Sequence, residues 1–224
     1  MNEQEIIANT ATFVKSILKD AEGGHDWFHI LRVWNNAKQL AKYEKVDMFV
    51  TELGVLLHDI ADSKFHNGDE TIGPRIAREF LESQQVDSSI ITHIEKIISN
   101  ISYKSSLPSN KNQNNTSQFT SPELDLIQDA DRLDAIGAIG IARCFNYGGF
   151  KNRPLHNPKI QPNINQSKES YKNSNAPTIN HFYEKLLLLK DKMNTKTGQR
   201  MAIERHNYME QFLEQFYAEW NGKK

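Results

Sequence analysis

Apolar residues recur along most of the chain at steps of three and four, the spacing that lines one face of an α-helix. Ile6, Ile7, Phe13, Val14, Ile17 and Leu18 form one such stripe, and Ile30, Val33, Trp34, Ala37, Leu40 and Ala41 form a second. The segment MFVTELGVLLHDI after Asp47 is apolar nearly all round, as a helix in the middle of a core must be. Ile90, Ile91, Ile94, Ile97, Ile98 and Ile101 repeat so regularly that the period overrides the strand preference of isoleucine. Pro122 and Glu123 open a further helix, expected to run to about Phe145, with proline in the first turn where its missing N–H costs nothing. Tyr208, Phe212, Phe216 and Trp220 step by four along a C-terminal helix. No stretch alternates with period two for long enough to demand a strand, so the expected fold is all-α.

Two polar stretches interrupt the helices. KSSLPSNKNQNNTSQFTSP, residues 104–122, has the composition of an exposed loop. Residues 147–177 follow the helix that carries an acidic cluster, and a loop of that length suits a lid or binding segment. With 224 residues and 38% hydrophobic content, the expectation is a single domain over 1–224, its core motifs in 21–143 and C-terminal helices in 178–221 packing on it.

Charge narrows the candidate partners. The 27 basic and 28 acidic residues leave a net charge of −1, without the basic surplus of a duplex nucleic-acid binder. The single cysteine, Cys144, cannot form an internal disulfide and suits a reducing cytoplasm. The first residues lack a signal-peptide layout, and no apolar run reaches the roughly 20 residues that cross a bilayer. The expectation is a cytoplasmic protein with a small phosphorylated partner, no duplex nucleic acid and no membrane, the oligomeric state open and a homodimer compatible.

Three segments carry chemistry. HDWFHILRV (25–33) places His25 and His29 four apart, with Arg32 one helical step further on. VLLHDIADSKFH (55–66) puts His58 and Asp59 at the end of the most apolar run in the chain. A buried charge there needs a partner or a metal. An imidazole and a carboxylate can converge on one ion, although His58 bonding a carbonyl and Asp59 capping a helix or pairing with an arginine would serve equally for the dipeptide alone. IQDADRLDAIGAIGIAR (127–143) crowds Asp129, Asp131 and Asp134 into about two helical turns. Without a cation they would repel and raise one another's pKa, and the alternative to a cation is a solvated stripe paired with Arg132 or Arg143.

Taken together, HILRV, LLHDIAD and DADRLDAIG resemble the motifs of the HD-domain phosphohydrolases, named for their His-Asp pair, over residues 21–143. INHFYEKLLLLKDKM and the last helix are similar to bacterial HD proteins that act on nucleotides. The resemblance implies His29, His58, Asp59 and Asp131 as metal ligands, Asp131 preferred to Asp129 because it directly precedes Arg-Leu. Two-metal branches of that family add histidines between the His-Asp pair and the last acid; only His66 and His93 lie there, so one metal is expected. The ion would be divalent: manganese, with magnesium, cobalt, iron or zinc compatible. The resemblance further implies Asp62 as the group that positions or deprotonates water, Glu70 being the weaker candidate. Arg32 and Lys64 are expected to face the phosphoryl groups, with His25, Arg32, Lys64 and Lys104 binding substrate and Arg143 less securely placed. Trp27, Phe65, Tyr147 and Phe150 are candidate base-stacking residues. The implied reaction is hydrolysis of nucleoside or deoxynucleoside triphosphates to monophosphate and pyrophosphate. Alternatives are a guanosine tetraphosphate or phosphomonoester hydrolase with the same site, or a non-catalytic nucleotide or metal sensor.

Overall fold

The structure, a computed structural model, describes residues 1–21, 24, 26–60, 69, 71–101, 119–164 and 175–224. Among them every regular element is helical, as the periodicity predicts: α1 (Glu3–Ile17), α2 (Trp27–Leu40), α3 (Met48–Leu57), α4 (Ile72–Ser83), α5 (Ser88–Asn100), α6 (Pro122–Asp134), α7 (Gly137–Phe150), α8 (Asn180–Glu184) and α9 (Lys196–Trp220). The chain forms two compact units, residues 1–130 and 131–224, and the boundary falls inside the unbroken helix α6.

In the first unit α3 is the central helix. Asp47 starts it by accepting the N–H groups of Phe49 and Val50 at 2.9 and 3.1 Å. Leu53, Val55, Leu56 and Leu57 behind it are fully buried. Gly54 allows two neighbours in close: a Cβ there would stand 2.7 Å from Ile127 Cδ1 of α6 and 3.6 Å from Ile97 Cγ2 of α5. The α2–α3 pairing is tied outside the core by Trp34 Nε1 donating to Glu52 at 2.9 Å, with Lys38 Nζ 3.2 Å from the same carboxylate. Leu126, Ile127 and Ala130 form a fully buried face of α6.

Helix α4 has no counterpart among the stripes identified in the sequence. Pro74 falls at its third residue, where an N–H has no intrahelical partner to lose. Phe80 stacks on Phe13 of α1 with ring centroids 4.0 Å apart, and Arg78 clamps Glu95 of α5 through both Nε and Nη2.

The helix expected from Pro122 to about Phe145 is instead two helices. Alpha6 ends at Asp134, Ile136 is extended (φ −127°, ψ 169°), and Gly137 has φ +74°, a region open to glycine and strained for other residues. The chain folds back so tightly that a Cβ on Gly140 would meet the Ala135 carbonyl oxygen at 2.2 Å. In the second unit α7, α8 and α9 share an aromatic cluster of Phe145, Phe182, Phe212 and Phe216, with contacting ring centroids 5.9–6.3 Å apart. Cys144 is buried there as a free thiol. No helix among the described residues is long and apolar enough to cross a membrane.

Candidate metal centre

His29 is the third residue of α2. Its place follows from Asp26, the N-cap, whose carboxylate accepts the His29 N–H at 2.9 Å. The ring is buried, 2% exposed. His58 is the C-cap of α3, also buried, and its Nδ1 lies 2.7 Å from the Val55 carbonyl oxygen. A carbonyl only accepts, so in the neutral ring Nδ1 carries the proton and Nε2 presents its lone pair. Bonds of this kind fix the tautomer and aim of metal-binding histidines. The two rings meet edge-on, centroids 5.6 Å apart.

Alpha6 brings the third group. Its Ala130 carbonyl accepts from Asn36 Nδ2 of α2 at 3.1 Å, and Asp131 is the next residue of that continuous helix. His29, His58 and Asp131 each offer one ligand atom, and these atoms lie within 4.8 Å of one another. Two ligands about 2.1 Å from one ion can stand at most about 4.2 Å apart. The trio is therefore within a small side-chain adjustment of a coordination sphere, and two imidazoles with a carboxylate are donors that suit a divalent transition metal.

The remaining sequence-derived residues fall into three groups. Asp59, half-buried beside His58, is not in the trio of converging ligand atoms. Arg32 is half-buried on α2 one helical step beyond His29. His25, Asp62, Lys64, Phe65, His66, Glu70 and Lys104 lie outside the described residues.

The acids of α6 separate into distinct roles. Asp129 is fully buried. Asp134 is 1% exposed, and its Oδ2 is 2.6 Å from Arg143 Nη1, so the expected pairing with Arg143 is present but is buried and not part of a solvated stripe. His93 meets Ser121 Oγ at 3.0 Å and Glu123 Oε2 at 3.6 Å, and Glu123 also accepts the Asp47 N–H at 2.9 Å. That arrangement ties α5, α6 and the start of α3 together. Of the stacking candidates, Tyr147 and Phe150 are 46% and 69% exposed, with Lys151 Nζ 5.7 and 5.0 Å from their ring centroids; Trp27 is half-buried.

Sequence reasoning passed over three supporting groups: Asp26, Asn36 and the Val55 carbonyl. Only Asp26 leaves a signal, as an aspartate immediately before the helix that carries His29.

Comparison with known proteins agrees with this geometry. The family model described as HD domain matches residues 27–136. The Bacillus subtilis protein YpgQ is 35% identical over 224 residues, spanning 99% of this chain and 97% of its own. A crystal structure of an HD-superfamily hydrolase from Bacillus thuringiensis is 43% identical, with a TM-score of 0.77 over 98% of this chain and 99% of that one. The crystal structure of YpgQ in complex with ADP aligns with a TM-score of 0.72 at 30% identity, over 95% and 97% of the two chains.

Proposed function

Because the chain belongs to the HD superfamily of metal-dependent phosphohydrolases, we propose that it hydrolyses nucleoside or deoxynucleoside triphosphates to the monophosphate and pyrophosphate. The observation that carries this is the convergence of His29, His58 and Asp131, with ADP in the structure of the relative YpgQ supporting a nucleotide ligand. His29, His58 and Asp131 would hold the ion, with Asp59, next to His58 in the chain, as the fourth ligand. A divalent ion, manganese in this proposal, supplies Lewis acidity toward phosphoryl oxygens and acidifies water.

The chain's own groups do the rest. The Val55 carbonyl keeps the His58 proton on Nδ1, leaving Nε2 as a donor of electrons. Asp62 takes the proton of the attacking water, help worth about a hundred- to ten-thousandfold. The water oxygen bonds to the α-phosphorus, the bond from that phosphorus to the bridging oxygen breaks, and pyrophosphate leaves. Arg32 and Lys64 neutralise the phosphoryl charge, the guanidinium by paired hydrogen bonds. His25 and Lys104 contact the phosphates.

The test is a panel of nucleoside and deoxynucleoside triphosphates assayed with Mn2+, before and after chelation, with products separated as phosphate and pyrophosphate. Metal-dependent release of pyrophosphate is expected. Orthophosphate as the sole product would overturn the choice of bond. Stoichiometric bound metal with no turnover of any member of the panel would overturn the assignment of these substrates.

A further inference from the structure

Asp131 sits in the last turn of α6, where the final carbonyls of a helix have no intrahelical partner and the turn frays unless something holds it. Here two arginines hold it. Arg205 of α9 donates through Nη1 to the Leu133 carbonyl. Arg143 of α7 donates through Nη1 to the Asp134 carboxylate at 2.6 Å and to the Asp134 carbonyl at 3.3 Å. Both guanidinium charges lie at the negative end of the helix dipole. The Arg205 stem is itself confined: its Cγ, Cβ and Cδ stand 3.0, 3.1 and 3.3 Å from where a Cβ on Gly137 would be. Burial lowers the Arg205 pKa while the charge of Asp134 opposes that shift, as expected of a guanidinium drawn into the protein to meet the end of the helix.

We propose that Arg205 is a positioning residue for the metal centre: its bond to the Leu133 carbonyl sets the last turn of α6 and thereby the direction of the Asp131 carboxylate. This rests on the assignment of Asp131 as a ligand. In this role Arg205 acts through the backbone and is not itself a ligand of the ion. It fixes a backbone turn two residues from the ligand, and a small reorientation of that turn swings the carboxylate away from the two imidazoles.

The experiment is titration of the metal-free protein with Co2+, followed by the visible absorption of the bound ion, in wild type, Asp131→Ala and Arg205→Met. In Arg205→Met the Co2+ affinity is expected to fall at least fivefold and the absorption band to change shape. A purely structural Arg205 would lower the melting temperature and leave band and affinity as in wild type, which would overturn the proposal. Asp131→Ala separates this from failure of the underlying assignment: wild-type Co2+ binding in that variant removes Asp131 from the site, and the role given to Arg205 falls with it. Where Arg205→Met gives no folded protein, Arg205→Gln, with a donor on a shorter stem, takes its place; a fall of at least threefold is expected and a wild-type titration overturns the proposal.

Discussion

The Nδ1 atom of His58 lies 2.7 Å from the carbonyl oxygen of Val55, one turn back along the same helix. This contact converts an ordinary C-cap histidine into a directed electron-pair donor, because it specifies which nitrogen is protonated before any ion arrives. Imidazole 15N–1H correlation spectra of the metal-free protein at pH 8 should show His58 protonated at Nδ1 and bare at Nε2. The opposite tautomer would mean that the ring is not aimed by Val55.

Two parts of the site differ in how far the sequence discloses them. His58-Asp59 at the end of an apolar run, and three aspartates beside AIGAIGIA, are conspicuous because charge among aliphatic residues demands compensation. The supporting contacts are different in kind. The Val55 carbonyl, the Asn36 bond to Ala130 and the Arg205 bond to Leu133 all involve a backbone acceptor, and backbone acceptors have no side-chain signature. The fold shows the same division. Stripes of apolar residues disclose α1, α2, α3, α5 and α9, whereas α4 is obscured by Gly73 and Pro74 in its first turn. The break after Asp134 is obscured by an apolar run that continues across it, and it is set by Gly137 at φ +74°.

The glycines Gly54 and Gly140 should respond very differently to alanine. At Gly54 the new methyl meets the terminal Cδ1 of Ile127, which can rotate aside, and alanine recovers up to about 1 kcal/mol of helix propensity. Gly54→Ala should therefore change stability by no more than about 1 kcal/mol. At Gly140 the obstacle is the Ala135 backbone carbonyl at 2.2 Å, which cannot move without opening the turn between α6 and α7. Gly140→Ala should cost about 3 kcal/mol, at the upper end of overpacking penalties. Chemical denaturation of both variants checks the order, and equal losses would contradict it.

Stability should also carry an acid-sensitive component from His181. Burial, with Lys185 and Arg153 nearby, pushes its pKa down from the ordinary 6.5 to about 3. A histidine whose folded pKa is depressed binds its proton in the unfolded chain first. Its contribution is therefore complete above about pH 6.5 and declines as pH falls towards 3. Thermal melts of wild type and His181→Gln between pH 8 and 4.5 should run parallel above pH 7 and diverge below 6.5, the wild type falling more steeply. Parallel curves over the whole range would show that His181 titrates as it does in solution.

Asp129 and Asp131 stand two residues apart on α6, and a helix turns about 200° between such positions, so the two carboxylates leave opposite sides of it. Asp131 joins His29 and His58, while Asp129 is fully buried. Their substitutions should separate metal binding from folding. Asp131→Ala removes a ligand from the site, and loss of even an indirect support of a metal ligand costs about 10–100-fold in affinity. It should therefore lower Mn2+ affinity by at least about 100-fold and leave the melting temperature of the metal-free protein near wild type. Asp129→Ala removes a buried carboxylate together with whatever it satisfies, so its first effect should be a loss of about 1–3 kcal/mol of stability. Calorimetric Mn2+ titration and thermal melting of both variants make the comparison. If Asp129→Ala abolishes metal binding in a stably folded protein while Asp131→Ala retains it, the ligand has been assigned to the wrong side of the helix.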